Sequence, residues 1–397
     1  MHWLPTFNRN LLCLLLVQAL AGSTGPVLFL ISGLKGVELA PTLVLSTLPM
    51  AAMIVGVAAC SPVSTWIFSK IGRKKGHLAG LLLSLLGIGL LGVGLIKTQF
   101  SVFCLGNLVS GGGIAFTNQI RFTAAEQTNT EKALVHSWVL MFSLFSAIIG
   151  PGMTLYGQTL FTTDYLGSLL LLGLGLIVSG GLLLGITPTP PPRQSRGGET
   201  PLAVASPITT QPQFLLAALS GITAFATMTL LMSATPLQMH TLCHFSKPNT
   251  TFIIQSHIIA MFLPSLFSGL LLAKIGLKKL TLAGIFIFFA SILCAFLSRQ
   301  LPSYWIALVL LGIGWNFLYL AGSTRISVDF TGPERFKAQG LNDLLVFGTQ
   351  AIASLGAGWL LFAVGWKTLV LLPLPLLGVL GVWSLVEKNP KSLGGHS

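Results

Sequence analysis

Charge is what this sequence has least of. Only 9 of its 397 residues are acidic and 22 basic, so charged side chains make up 8% of the chain, where a soluble domain carries roughly 25%. So few charges cannot cover a water-facing surface of this size, and a soluble globule is excluded. Cysteine is scarce and scattered. Cys13, Cys60, Cys104 and Cys294 fall inside apolar runs and Cys243 stands alone, so no spacing indicates a disulfide framework or a zinc site. The 7 histidines are dispersed, and neither a metal nor a cofactor is expected. A formal net charge of +13 does not indicate nucleic acid, because the basic residues stand singly or in short groups between apolar runs. Gly111-Gly112-Gly113 follows no strand and opens no helix, so it reads as a place of close helix approach and not as a nucleotide cradle.

What is abundant is apolar: 53% of residues, together with 44 glycines, which membrane helices tolerate better than soluble ones. A bilayer core of about 30 Å needs roughly 20 apolar residues per helix. Twelve such runs occupy residues 10–32, 42–68, 78–96, 102–121, 134–157, 166–187, 213–237, 250–273, 281–298, 304–324, 340–364 and 368–386. Arg9 followed by a leucine run and Ala19-Leu20-Ala21 imitates a secretory signal, but the run continues to Ile31 and makes a full-length span. The proline-rich, polar stretch 188–212 divides the spans six and six. The expected fold is therefore an all-α integral membrane protein, twelve transmembrane helices in two pseudo-symmetric six-helix bundles, 1–187 and 213–397, joined by a linker. With a cytoplasmic N-terminus, 17 of the 22 basic residues fall on inner loops and 5 on outer ones, so both termini are expected in the cytoplasm of a cell (inner or plasma) membrane.

The loop after the second span has an echo 204 residues later. Lys70-Ile71-Gly72-Arg73-Lys74-Lys75 and Leu78-Ala79-Gly80 return as Lys274-Ile275-Gly276-Leu277-Lys278-Lys279 and Leu282-Ala283-Gly284, with 8 of 11 positions identical, and the same offset carries Arg121 onto Arg325. Two parallel six-helix halves are the natural reading.

On these residues the chain resembles the major facilitator superfamily of secondary transporters, across essentially its whole length. The hallmark of that family between spans two and three is G-x-x-x-D-[RK]-x-G-R-[RK]-[RK]; here Ser69-Lys70-Ile71-Gly72-Arg73-Lys74-Lys75 keeps the basic half, with Thr65 and Ser69 where the glycine and aspartate stand. Gly150-Pro151 and Gly157 are similar to part of a fifth-span drug-antiporter motif, and Asn107 stands where proton antiporters of the family carry an arginine in the fourth span. These departures count against drug-type proton antiport.

The resemblance implies candidate sites. The loop glycines Gly72 and Gly276 would allow a sharp turn while Lys70, Arg73 and Lys274 hold the loops at the headgroups. In the family this loop clamps the halves together by meeting the start of the eleventh helix. Here that start carries Asp343, the one acid within a span, which is expected to pair with Arg73 or Lys70, or alternatively to cap a helix N-terminus. The second copy of the loop would face Glu131 and His136 at the start of the fifth span. Arg121 and Arg325 are expected to form ion pairs with Glu126 and Asp329, five and four residues on; gripping an organic anion is the alternative. Spans one, four, seven and ten line the cavity of the family, which selects Gln18, Ser23, Asn107, Ser110, Thr227, Met232, Trp315, Asn316 and Tyr319, none of them charged. For each residue taken alone, joining helices is the ordinary role, and Trp315-Asn316, beside Gly312 and Gly314, is the first candidate pair for solute contact. His257, in the eighth span, is a candidate proton relay beside Asp343, or else a neutral histidine between helices.

The function expected from this is a secondary active transporter working by alternating access, with a small neutral or amphipathic organic solute as partner, the bilayer as solvent, proton coupling an option, no nucleic acid, and a monomeric state. A non-transporting receptor or assembly factor on the same fold lacks a docking domain to support it. A membrane-embedded enzyme would need convergent acids at one depth, and nearly all the acids lie in loops.

Overall fold

The structure, a computed structural model, describes residues 8–42, 45–128, 130–187 and 207–387. The expected linker up to residue 206, with Arg193 and Arg196, and the tail with Lys388 and Lys391 lie outside them. Among the described residues the regular structure is helical throughout: α1 (Arg9–Ala21), α2 (Thr24–Leu39), α3 (Leu48–Ile71), α4 (Arg73–Ile96), α5 (Phe100–Asn118), α6 (Ile120–Glu126), α7 (Lys132–Gly157), α8 (Leu166–Leu184), α9 (Pro212–Leu237), α10 (Lys247–Phe262), α11 (Ser265–Leu297), α12 (Leu301–Asp329), α13 (Glu334–Leu371) and α14 (Leu374–Val386). Hydrocarbon offers the backbone no hydrogen-bond partner, so spans that bond within themselves are the available solution.

Among the described residues, ten stretches are long and apolar enough to cross a membrane. Twelve spans emerge once two glycines are considered. Gly276 (φ +83°) breaks α11 and Gly365 (φ +77°) breaks α13. The eighth span is then α10, only 16 residues long, continued past Pro264 into the first part of α11; the eleventh and twelfth part at Gly365. Gly72 has φ +83° and ψ 165°, and its repeat partner Gly276 has φ +83° and ψ 167°. Only glycine enters this region without strain.

The repeat extends to side chains. Lys74 Nζ donates to the carbonyls of Leu184 and Ile186 at 2.7 and 2.9 Å. Lys278 Nζ, 204 residues on, donates to those of Leu385 and Glu387 at 2.8 and 3.2 Å. In each copy the lysine satisfies carbonyls that end a helix, where the helix dipole favours a cation.

The chain divides into two compact units whose main boundary, between Ala205 and Ser206, lies inside the expected linker, with two segments exchanged between them. One contains Met1–Thr130, Phe142–Ala205 and Phe330–Gly348; the other contains Glu131–Met141, Ser206–Asp329 and Thr349–Ser397. The start of α13 thus belongs with the first six spans, and the start of α7 with the last six.

Helices in the first unit approach at glycine. A Cβ on Gly111 would overlap the Met53 carbonyl oxygen of α3, and one on Gly56 would overlap the Leu108 carbonyl oxygen of α5. Gly113 meets α4 in the same way, against Ser84 Oγ. The three-glycine run therefore serves contact with two neighbouring helices, α3 and α4. Gly111→Ala should force α3 and α5 apart and lower stability by about 1–3 kcal/mol, read as a reduced thermal midpoint in detergent. Gly89→Ala, where a Cβ meets nothing within 4 Å, should leave the midpoint unchanged.

Candidate functional site

In the first unit, charged and amide groups from α4, α6 and the start of α13 meet at the end that carries the 70–75 loop. Arg73, 3% exposed, grips Glu126 with Nε at 3.1 Å and a terminal nitrogen at 2.6 Å, and donates to Gln339 Oε1 at 2.8 Å. Its guanidinium lies over the rings of Phe68 and Phe336. Arg335 also reaches Glu126, at 3.3 Å. Asp343, 1% exposed, accepts from Arg121, from Gln119 Nε2 at 2.7 Å and from Asn342 Nδ2 at 3.0 Å.

These contacts revise the expected pairing. Asp343 is held by Arg121 and not by Arg73 or Lys70, since Arg73 is occupied by Glu126 and Gln339 and Lys70 is exposed. Glu126 accepts from Arg73 and Arg335, because a residue five positions on points about 140° away around a helix and so turns from Arg121. Sequence reasoning missed Gln119, Arg335 and Gln339. Part of the signal was available: in a chain so poor in polar groups, amides within a turn of a buried arginine or aspartate, as Gln119 and Gln339 are, become candidates for satisfying them.

The equivalent end of the second unit is built differently. Leu277 stands where Arg73 does, Lys274 is exposed, and Arg325 makes a bidentate pair with Glu387 at 2.5 and 3.0 Å. Asp329 is the last residue of α12. His136 Nε2 lies 2.7 Å from Ser327 Oγ, Lys132 donates to the Ser327 carbonyl, and Ser137 Oγ donates to the Ser265 carbonyl at 2.5 Å. Burial raises the pKa of the Glu131 carboxyl in the loop before α7.

The expected cavity residues separate into two groups. Several join helices: Gln18 Nε2 donates to Ser143 Oγ at 3.0 Å, Ser23 Oγ to the Ser146 carbonyl at 3.4 Å, and Ser32 Oγ to Asn107 Oδ1 at 2.7 Å. Asn316, expected to face solute, spends both amide hydrogens on the Met261 carbonyl and Ser265 Oγ, at 2.8 and 2.7 Å, and ties α12 to its neighbours. His257 is fully buried with Nδ1 2.8 Å from the Leu308 carbonyl, the arrangement of a histidine held between helices. The second group is aromatic. Trp315 stacks on Tyr319 with centroids 5.0 Å apart, and Phe225 and Phe262 meet Trp315 edge-on at 5.3 and 5.7 Å. Ser110 Oγ, Thr227 Oγ1 and Trp315 Nε1 are buried without a hydrogen-bond partner among the described residues. Phe225 and Phe262 were not singled out in the sequence, where nothing distinguishes them among 25 phenylalanines.

A duplicated, helical, multi-pass membrane fold with an ion-paired loop in one unit and an aromatic cluster in the other defines a solute transporter of the bilayer rather than an enzyme. The chain belongs to the Major Facilitator Superfamily, whose sequence profile matches residues 6–318 and 217–396. It is 32% identical over 395 residues to the riboflavin transporter RfnT of Brucella anthropi, covering 98% of each chain. It is 28% identical over 317 residues to an uncharacterized transporter of this type, YddS, from Bacillus subtilis, covering 75% of this chain and 70% of that one. Its fold matches the fucose:proton symporter FucP of E. coli with a TM-score of 0.75 at 15% identity, covering 96% of this chain and 98% of the other. A bacterial homologue of the iron transporter ferroportin matches with a TM-score of 0.72 at 17% identity, covering 95% and 99%. The protein is therefore a multi-pass membrane transporter for a small molecule.

Asp343→Asn should strand the Arg121 charge and cost about 3–5 kcal/mol, whereas the joint replacement Arg121→Met with Asp343→Leu should recover most of that loss. Glu387→Gln, whose side chain is 16% exposed, should cost less. Thermal unfolding in detergent measures all three.

Proposed function

We propose that the protein is a secondary active transporter that carries a small, flat, uncharged organic solute of the riboflavin type by alternating access. The observation that carries this reading is the 32% identity to a riboflavin transporter over 98% of both chains. The stacked Trp315 and Tyr319, bordered by Phe225 and Phe262, agree with it, because conjugated rings favour aromatic faces. An organic-anion substrate gripped by Arg121 and Arg325 is disfavoured, since each guanidinium already carries a carboxylate partner.

In this reading the halves 1–187 and 213–397 are the moving bodies, the Arg121–Asp343 pair is a gate, and Asp343 is the proton-coupling group. Protonating Asp343 removes the charge that holds Arg121, which links a proton to release of the gate. The 17 to 5 distribution of basic residues supports an orientation with both termini and the loops at Arg73 and Lys278 in the cytoplasm; a monomer in the cell membrane completes the reading.

Proteoliposomes containing the purified protein should accumulate riboflavin above the protein-free background, faster with an imposed proton gradient. Absence of uptake would remove the substrate, and gradient-independent uptake would remove the coupling. For orientation, single cysteines at Ser195 and Ser246 in a cysteine-free background should label from opposite sides, with Ser246→Cys reached by impermeant reagent outside intact cells. Labelling of Ser195→Cys alone would invert the topology.

A further inference from the structure

Some buried polar groups of the second unit find partners within or between helices, and others, several of them on α9 and α12, have none among the described residues. Thr235 and Thr281 return their hydroxyls to carbonyls four residues back at 2.7 and 2.9 Å, and the buried Trp366 donates its indole N–H to the Ala295 carbonyl at 2.9 Å. Trp315 is as buried as Trp366, both 3% exposed, yet its Nε1 has no partner among the described residues. Ser323 Oγ, 4% exposed, has none there either. Trp315, Tyr319 and Ser323 follow each other along α12 at four-residue steps and so form one stripe of the helix. Unsatisfied buried donors lower stability, and a solute that pairs with them would account for their being kept.

We infer that the Trp315–Tyr319 stack is the platform for the flat ring of the solute, with the Trp315 indole N–H donating to a carbonyl or ring nitrogen on its edge. Ser323 supplies a second polar contact further along the same stripe. Phe225, which touches Trp315 and Tyr319 edge-on at 5.3 and 5.1 Å, is the cover that a solute displaces, exchanging edge contacts for face contacts. To that flat, uncharged solute this adds hydrogen-bond acceptors along one edge of the ring. A sugar offers no such face, and a hydrocarbon offers no such edge. This assignment rests on the riboflavin-type reading above.

The test is titration of riboflavin fluorescence with the full-length protein in detergent, alongside its thermal midpoint. Trp315→Phe keeps a ring and deletes the donor; it should raise the dissociation constant roughly 3- to 10-fold. Trp315→Leu should raise it further through loss of the platform. Ser323→Ala should weaken binding by about 2- to 5-fold, and because it deletes an unsatisfied hydroxyl it should hold or raise the midpoint without ligand. Weaker binding at undiminished stability is a result that a purely packing role does not produce. If Trp315→Phe does not elute as a single species, Ser323→Ala carries the test. Wild-type protein that binds riboflavin with variants of unchanged affinity would overturn this assignment alone. Wild-type protein that does not bind riboflavin would overturn the substrate reading, and the assignment with it.

Discussion

The buried pair of Arg121 and Asp343 is the constraint around which the first unit is arranged. A lone carboxylate or guanidinium away from water is too costly to keep, whereas a pair with its remaining hydrogen bonds satisfied is tolerated. Asp343 receives Gln119 and Asn342 as well as Arg121, and Arg121 returns a further hydrogen bond to the Asn118 carbonyl at 2.9 Å. Arg335 and Gln339 on the same helix face Glu126 and Arg73. The first turns of α13 therefore belong to this unit by charge matching, while the same helix from Thr349 onward belongs to the other.

The two sequence repeats agree in backbone and differ in charge. Gly72 and Gly276 adopt the same positive-φ turn, and Lys74 and Lys278 close the ends of α8 and α14 in the same way. At Arg73, however, the second copy has Leu277, and around the start of α7 the second unit relies on His136, Ser137 and Lys132 bonding to a hydroxyl and carbonyls. Backbone turns are set by local sterics and survive divergence of side chains, whereas a buried ion pair needs both partners and disappears when either changes.

The aromatic cluster of α9, α10 and α12 follows a different rule. Its rings stack and meet edge-on, but the Trp315 N–H and the Ser323 hydroxyl are left without partners among the described residues. Unpaired buried polar groups of this kind cost stability, and natural proteins keep such local exceptions mainly at functional sites.

Class, span count and the repeat were legible in the sequence because they rest on local quantities. Hydrophobic run length against bilayer thickness, loop glycines and the distribution of lysine and arginine are each read without knowing what lies across the fold. Even the breaks at Gly276 and Gly365 fall between runs that the sequence separates. Partnership was not legible. Arg121 and Asp343 are 222 residues apart, and Arg73 or Lys70 was an equally reasonable partner until the loop geometry assigned Arg73 to Glu126. Asn316 and Trp315 are neighbours in sequence, yet the helix turns about 100° between them, so one is tied to the Met261 carbonyl and the other joins the ring stack. Sequence determined that this chain is a duplicated helical transporter of the bilayer; only the tertiary structure decided which buried polar groups have partners, because hydrogen bonds and ion pairs are selected by ångström distances between helices, which no local pattern records.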